Sequence, residues 1–189
     1  MIRTFAIFIT LFVSQIAFAQ GKINLPQKTN KPTRQEQTSS TKRQSMQSIP
    51  TTLAGYALGR TTRSGAEKYT FDKGYSLSYP DGSKLTAHYV DFSGYIWNDV
   101  ELYFYNNKLY KIVFSKPDLP SEHKSFGSYT PDSEIFSSIS QALSTKYSKY
   151  AKGEGIYDDG KTTVSINSYQ LIYSDDALSR KATNSYDSL

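Results

Sequence analysis

Aromatic side chains are the most distinctive chemical groups of this 189-residue chain, which contains 16 Tyr, 10 Phe and one Trp. Tyr and Trp combine an apolar ring with a polar atom, and both are enriched where proteins contact other molecules. Tyr95, Trp97, Tyr103 and Tyr105 lie close together, and Lys111 follows on the next predicted strand. We expect these five residues to form an exposed surface that binds a protein or a glycan. Strand formation and core filling are the competing roles for the same residue types.

Catalytic and metal-binding patterns are missing from the sequence. The chain has no cysteine and two histidines, His88 in a predicted strand and His123 in a predicted loop. No His-Glu-x-x-His motif, Gly-x-Ser-x-Gly elbow or glycine-rich phosphate loop is present. We expect both histidines to have structural or surface roles. The sequence therefore predicts no catalytic residue, no metal site and no cofactor.

Two pairs of adjacent carboxylates, Asp158-Asp159 and Asp175-Asp176, are candidates for the acid–base chemistry of an exported hydrolase. Neighbouring residues do not face each other on a strand or on a helix. Gly160 follows the first pair and Ser174 precedes the second, which is typical of a turn and of a helix N-terminus. We therefore predict turn and capping roles for both pairs.

The first 19 residues are typical of a cleavable signal peptide. A basic start precedes an apolar run from Phe5 to Ala19, which ends in Ala17-Phe18-Ala19. The run is shorter than the ~20 apolar residues that cross a bilayer. We predict cleavage between Ala19 and Gln20, export to the periplasm or the medium, and no membrane span after cleavage; an uncleaved anchor is the alternative. Without cysteine, we expect neither a lipid anchor nor disulfide bonds.

Residues 20–50 are polar and basic. Gln, Thr, Ser, Lys and Pro dominate this segment, which cannot bury enough apolar surface to offset the entropy lost on ordering. It contains six basic residues and one acidic residue, whereas residues 51–189 contain 15 basic and 16 acidic residues. We predict a disordered linker that either is a solvated spacer or contacts an anionic cell surface. Because the rest of the chain is nearly neutral, we expect no nucleic-acid partner.

Residues 51–182 are predicted to form one domain, with a flexible tail at residues 183–189. Ser64 as N-cap and Glu67 three residues later form a capping box that indicates the start of a first helix, and Gly74 is placed to end it. A stronger helix follows Thr130 as N-cap and Pro131 at its first position. Its apolar residues recur at helical spacing: Ile135, Phe136, Ile139, Ala142, Leu143 and Tyr147.

Alternating apolar and polar residues predict strands joined by tight turns. One hairpin turns at Pro80–Ser83, and another turns at Asn167-Ser168 between Thr162–Ile166 and Tyr169–Tyr173. A short last helix is expected to begin with Ser174 as its N-cap and to run through Asp175 and Asp176 to Arg180 and Lys181.

The clearest hairpin joins Val100–Tyr105 to Leu109–Phe114. A three-residue loop gives it one wholly apolar face, because it pairs apolar residues across the strands: Phe104 with Tyr110, Leu102 with Ile112 and Val100 with Phe114. A two-residue loop would mix charged residues into both faces.

These elements predict an α+β fold, with an antiparallel sheet and helices packed on one of its faces. A helix followed by hairpins occurs twice, at Ser64–Phe114 and at Thr130–Tyr173. The two occurrences are either related units or a coincidence between common elements.

The sequence also resembles a known type of fold. The residues concerned are Phe92-x-Gly94-Tyr95-x-Trp97-x-x-Val100-x-Leu102-x-Phe104, then Asn107-Lys108-Leu109-Tyr110-x-Ile112-x-Phe114 and Leu143-x-x-Lys146-Tyr147. This pattern, within residues 53–175, is similar to small secreted bacterial domains that in turn resemble the β-lactamase inhibitor protein type of fold. The resemblance implies a binding or assembly role without catalysis. That inhibitor uses disulfides, which this chain cannot form, so its partner and contact residues are not transferred.

The function expected from the sequence is that of an exported, non-catalytic binding module of an inhibitor, immunity or envelope-assembly type. It would bind a protein partner in the cell envelope or outside the cell through a Tyr-rich face of its sheet. A surface glycan-binding domain that uses the same aromatic residues is the alternative. An enzyme whose site the sequence does not reveal is the third.

Overall fold

A computed structural model describes residues 48–120 and 130–186. The predicted signal peptide, its cleavage site at Ala17, Ala19 and Gln20, residues 20–47 of the predicted linker, and His123 lie outside the described residues. The strands are β1 (Thr52–Leu53), β2 (Tyr56–Ala57), β3 (Ser76–Asp81), β4 (Lys84–His88), β5 (Val90–Phe92), β6 (Tyr95–Tyr105), β7 (Lys108–Asp118), β8 (Ala151–Gly153), β9 (Ile156–Asp158), β10 (Thr162–Ile166) and β11 (Gln170–Asp175). The helices are α1 (Arg63–Asp72), α2 (Asp132–Lys146) and α3 (Asp176–Tyr186), with a 3-10 turn at Ser148–Tyr150.

Nine strands of the described chain form one antiparallel sheet in the order β3-β4-β6-β7-β11-β10-β9-β8, and β5 also pairs with β6. All three helices contact this sheet, so the predicted α+β fold is confirmed. β7 and β11 pair at the centre. Each half of the sheet is a meander that follows a helix and ends at this central pair. The topology therefore agrees with the prediction that a helix followed by hairpins occurs twice in the chain. The short strands β1, β2, β8 and β9 are not predicted, because two or three residues are too few to show alternation.

The register of the β6–β7 hairpin agrees with the prediction over most of its length. Val100 pairs with Phe114 and Leu102 pairs with Ile112. All four side chains are buried. Burial of one apolar face thus selects the register, as expected for a sheet whose side chains alternate between two faces.

The loop of this hairpin differs from the prediction. It has two residues, Asn106 and Asn107, with φ angles of 46° and 59°. Phe104 pairs with Leu109, and Tyr110 is the extra residue at the following irregularity. The prediction of a three-residue loop is wrong because a tight turn and a β-bulge together give the same apolar register.

A second irregularity lies at Asn98 of β6. The residues on the two sides of Asn98 in register are Tyr89 and Lys116, whose φ angles of 60° and 51° are left-handed. Val100 faces the core, so strict alternation would place Trp97 on the opposite face. Trp97 is nevertheless 1% exposed and belongs to the core. The alternation of β6 side chains between the two faces of the sheet therefore shifts by one residue near Asn98.

The N-termini of α1 and α2 lie close to their predicted positions. Thr62 caps α1, because its side chain accepts a hydrogen bond from the Gly65 N–H at 3.1 Å, so the prediction of Ser64 as the cap is wrong. Gly74 follows the end of α1 with a φ of 73°, as expected for a helix C-terminus. Pro131 is the N-cap of α2, one residue after the predicted Thr130.

The last helix, α3, starts later and ends later than predicted. Asp175 caps it, with its side chain accepting from the Leu178 N–H at 2.9 Å. Ser174 is not the cap, because α3 begins at Asp176 and Asp175 is the residue directly before it. The helix contacts β7 and β11, and it continues to Tyr186, beyond the predicted end of the domain at Ala182.

The hydrophobic core joins the strands to Ala66 of α1 and to Phe136 and Leu143 of α2. Ile49, which the sequence assigns to the linker, belongs to this core and is 2% exposed. Its N–H donates to Asp159 Oδ2 at 2.9 Å. The linker prediction is therefore wrong at Ile49, because isolated apolar residues in a polar segment give no periodic signal.

Candidate functional site

The aromatic surface predicted from the sequence does not form as a whole. Trp97 packs against Phe114 and Phe136, with ring centroids 5.2 Å and 6.0 Å away, and its Nε1 donates to the Phe92 carbonyl. Tyr95 lies beside Trp97 at 6.2 Å, and burial raises the pKa of its phenol. Trp97 is therefore a core residue, and its predicted place on an exposed surface is wrong. The cause is the shift in strand alternation described above.

Tyr103 and Lys111 lie on the polar face of the sheet, opposite the core. They pair across β6 and β7, and Lys111 Nζ lies 4.0 Å from the centroid of the Tyr103 ring. The Tyr103 hydroxyl donates to Glu101 Oε2 at 2.7 Å, and Lys84 Nζ donates to Glu101 Oε1 at 2.8 Å. The Tyr110 ring lies 6.4 Å from that of Tyr103. These five residues are named the Tyr103 cluster here.

Tyr105 lies next to this cluster at the end of β6. It is partly exposed and pairs with Lys108 beside the two-residue loop. The structure therefore brings Tyr103 and Lys111 into contact near one end of the hairpin, with Tyr105 two residues farther along β6, and it places Tyr95 and Trp97 elsewhere.

Burial and hydrogen bonding set the protonation states in the Tyr103 cluster. Burial disfavours the charged form of Glu101, but hydrogen bonds from Lys84 and Tyr103 lower its pKa overall. Burial and the hydrogen bond to Glu101 raise the pKa of Tyr103, and burial lowers the pKa of Lys111. The cluster thus combines an ionised carboxylate with a neutral phenol.

The Lys111 ammonium group has an unusual surrounding. Within the described residues, no carboxylate lies at ion-pair distance from it. Its neighbours are the rings of Tyr103 and Tyr110, at 4.0 Å and 5.9 Å from Nζ. Cation–π contact offsets part of the cost of desolvating the charge. The ammonium group can still bind an anionic group from another molecule.

A second polar group on the same face contains Ser78, His88, Asp99 and Lys116, and is named the His88 chain here. His88 Nε2 lies 3.0 Å from Ser78 Oγ, and its Nδ1 lies 2.9 Å from Asp99 Oδ1. Lys116 Nζ forms an ion pair with Asp99 Oδ2. Burial favours the neutral form of Asp99, but hydrogen bonds from Lys116 and His88 lower its pKa overall.

Sequence reasoning missed the His88 chain because its members lie on different strands and match no linear motif. Ser78, His88 and Asp99 lie on β3, β4 and β6, which are neighbours in the sheet. The alternation of β3 and β4 places Ser78 and His88 on the polar side of each strand. The His88 chain could be predicted only if the order of the strands in the sheet and their register were known. Neither follows from hydropathy alone.

Three of the adjacent carboxylates, Asp158, Asp159 and Asp175, have turn and capping roles, as predicted. Asp159 accepts hydrogen bonds from two backbone N–H groups of the β9–β10 turn, and Asp175 caps α3. The fold also brings Asp158 and Asp176 together, which the sequence does not predict. Burial and the Asp158 carboxylate raise the pKa of Asp176, although a hydrogen bond from Thr163 opposes this shift.

A polar groove of about 410 Å³ lies between α2 and the turns that follow β8 and β10. Ile166 contributes apolar surface to the groove, and the buried Phe136 lies beneath it. The other lining residues carry hydroxyl, amide, carboxylate or backbone groups: Ser133, Ser137, Ser140, Gln141, Ser144, Glu154, Gly155, Asn167 and Ser168.

In the described ranges, no helix is long and apolar enough to cross a membrane. The same residues contain no group of three or more His, Cys, Asp or Glu side chains that could hold a metal ion. Comparisons with protein-family models, with curated proteins and with solved structures find no match for this chain.

Proposed function

We propose that this protein is an exported binding module that engages a protein partner through the Tyr103 cluster and Tyr105. The observation that carries the proposal is the partly buried ammonium group of Lys111, which faces tyrosine rings and has no carboxylate at ion-pair distance among the described residues. An acidic side chain of a partner would complete this arrangement with a charge-assisted hydrogen bond. Export is proposed from the signal-peptide pattern of residues 1–19.

Preorganisation of the cluster supports binding. The hydrogen bonds from Lys84 and Tyr103 to Glu101 already order three long side chains. Side chains that are ordered before binding lose less conformational entropy when a partner arrives. The cluster also lies on a sheet rather than on a loop, so its backbone is held in place.

The shape of the site favours a macromolecular partner. Small-molecule sites are usually concave, whereas the Tyr103 cluster lies on one face of a sheet. The proposed relationship to the β-lactamase inhibitor protein type of fold agrees with a binding role. None of that inhibitor's contacts is transferred to this chain.

The test compares the envelope proteins captured by four purified forms of the chain. The wild type and Tyr169→Ser should capture the same partner, whereas Tyr103→Ser/Tyr105→Ser should lose it. Tyr169 is a matched control because it is a 70% exposed tyrosine in the β10–β11 turn. Lys111→Gln removes the charge while keeping much of the side chain. It provides a second test of the site if the double variant fails to fold.

Titration of the captured protein, once purified, then gives the affinity. We expect Lys111→Gln to raise Kd about 10-fold, which corresponds to ~1.4 kcal/mol. Circular dichroism confirms that each variant is folded. An unchanged Kd for both Lys111→Gln and the folded double variant would contradict the proposal.

A glycan ligand is the second candidate function, and the polar groove beside α2 is the observation that favours it. Hydroxyl and amide groups can hydrogen-bond to sugar hydroxyls, and Ile166 adds apolar contact. Binding to a panel of oligosaccharides tests this candidate. Gln141→Ala with Ser137→Ala should abolish glycan binding, while Lys111→Gln should leave it unchanged. The opposite pattern would assign the glycan to the Tyr103 cluster.

A further inference from the structure

Ser78, His88 and Asp99 form one continuous chain of hydrogen bonds across three neighbouring strands. Ser78 Oγ lies 3.0 Å from His88 Nε2, and Asp99 Oδ1 lies 2.9 Å from His88 Nδ1. Nδ1 also lies 3.1 Å from the Asn98 carbonyl oxygen, so the ring faces a hydroxyl on one side and two acceptors, a carboxylate and a backbone carbonyl, on the other. This is the order of groups that activates a serine nucleophile.

The acceptors beside His88 Nδ1, which are the Asp99 carboxylate and the Asn98 carbonyl, fix the direction of the whole chain. An ionised carboxylate can only accept, so the proton of the neutral His88 ring must lie on Nδ1. Nε2 is then an acceptor, and Ser78 Oγ–H must donate to it. Lys116, which pairs with the other oxygen of Asp99, favours the ionised carboxylate that this arrangement requires.

We propose that Ser78 is a nucleophile that is acylated by small carboxylic esters, with His88 as its general base and Asp99 as the residue that positions His88. Ser78 Oγ attacks the carbonyl carbon while His88 Nε2 takes the hydroxyl proton. The C–O bond to the alcohol then breaks, and the same proton passes to the leaving oxygen. Water attacks the acyl-serine through His88 in the same way, which releases the carboxylic acid and restores Ser78.

The backbone around the chain and the exposure of its members support this role. Tyr89, directly after His88, has a φ of 60°, and Lys116, which binds Asp99, has a φ of 51°. Left-handed non-glycine residues are costly and tend to cluster at functional sites. Ser78 is exposed, so an ester can approach its hydroxyl from solvent. The proposal is independent of the binding function, because it uses none of the residues of the Tyr103 cluster.

Two measurements on the full chain test the nucleophile. A fluorophosphonate probe, which loses fluoride when a serine oxygen attacks its phosphorus, should label Ser78 as located by peptide mass spectrometry. Hydrolysis of p-nitrophenyl acetate should fall about 100-fold in Ser78→Ala, within the range expected for loss of an activated group. Ser76→Ala is the matched control, since Ser76 is an exposed serine on the same strand, and it should keep both signals.

The positioning role of Asp99 has its own readout. Nitrogen NMR of the His88 ring should show the proton on Nδ1 in the wild type. In Asp99→Asn the amide can donate as well as accept, and the Asn98 carbonyl remains as an acceptor 3.1 Å from Nδ1. The Nδ1-protonated form should therefore lose part of its population, and labelling of Ser78 should slow. A slower reaction with an unchanged tautomer would overturn the role assigned to Asp99.

Two results would overturn the proposal for Ser78. One is labelling that is absent in the wild type or persists in Ser78→Ala. The other is esterase activity that survives in Ser78→Ala but disappears in His88→Asn, because the imidazole itself would then be the nucleophile. Thermal unfolding of each variant shows whether a loss of activity accompanies a folded chain.

Discussion

The chemistry of single residues in this protein depends on which face of the sheet each side chain occupies. Tyr103 and Lys111 follow the alternation predicted from the sequence and lie on the polar face. Trp97 does not, because the left-handed residues Tyr89 and Lys116 mark a shift in that alternation. A hydropathy pattern contains no signal for such a shift. The sequence could therefore predict which face the side chains occupy near the end of the hairpin, but not on the other side of Asn98, where Trp97 lies.

Glu101 provides a prediction at this scale. Its carboxylate is held by Lys84 and Tyr103, which lower its pKa below the ordinary value of 4.5. A lowered pKa in the folded state adds stability above pH 4.5, and this stability is lost as the pH falls through the folded value. Glu101→Gln should lower the free energy of unfolding at neutral pH by about 1 kcal/mol, because the pair is partly exposed.

Urea unfolding at neutral and at acidic pH checks this prediction. The difference between the wild type and Glu101→Gln should shrink as the pH falls below 4.5, since the wild-type carboxylate then becomes neutral as well. Glu154→Gln is the control, because Glu154 is exposed and forms no ion pair within the described residues. A difference that is constant with pH would show that the charge of Glu101 does not contribute to stability.

At the scale of elements, the sequence predicts which segments are helices and strands better than it predicts how they begin and turn. The α1 cap is Thr62 rather than Ser64, and the β6–β7 loop has two residues rather than three. In both cases the sequence preferences for helix caps and turns are met by two alternatives, which are two cap positions for α1 and two loop lengths for the hairpin. Tertiary contacts decide between them, as when the Arg63 N–H at the start of α1 donates to Asn107 Oδ1 at 3.0 Å.

This contact between α1 and the hairpin loop gives a prediction for Asn107. Asn107→Gly removes the hydrogen bond and keeps a left-handed conformation accessible, so it should cost about 1 kcal/mol of stability. Asn107→Ala also places a Cβ-bearing residue without a local hydrogen bond at a φ of 59°, which adds about 1–2 kcal/mol. Chemical denaturation measures both costs.

The control for this pair is Asn106→Ala. Asn106 is also left-handed, but the Arg63 N–H hydrogen bond is formed with Asn107. Asn106→Ala should therefore show the conformational cost alone. Equal stability of Asn107→Gly and Asn107→Ala would mean that the loop changes its turn type when Asn107 is replaced.

At the scale of the whole molecule, the α+β class is predictable because strand alternation and helical periodicity are both clear in residues 76–173. The limits of the folded part are less predictable. Ile49 belongs to the core although its neighbours in sequence are polar, and α3 continues beyond Ala182. Both segments are fixed by contacts with distant residues, and such contacts leave no local pattern.

Ile49 supplies the prediction at this scale. It is 2% exposed, and replacement of a buried Ile by Ala leaves a cavity that typically costs about 2–5 kcal/mol. Ile49→Ala should therefore lower the urea midpoint strongly, whereas Ser48→Ala should change stability by less than ~0.5 kcal/mol because Ser48 is exposed. Similar stability of both variants would show that Ile49 is not part of the core.

The pairing of β7 with β11 has a consequence for the rate at which the chain folds. Every other pair in the sheet joins strands that are close in sequence, so each meander can form by closing short loops. The entropy cost of loop closure grows with the length of chain enclosed, and long-range pairing slows folding. The largest such cost falls on the single step that brings residues such as Val113 and Ile172 together. The sheet is thus two locally closed halves joined by one long-range strand pairing.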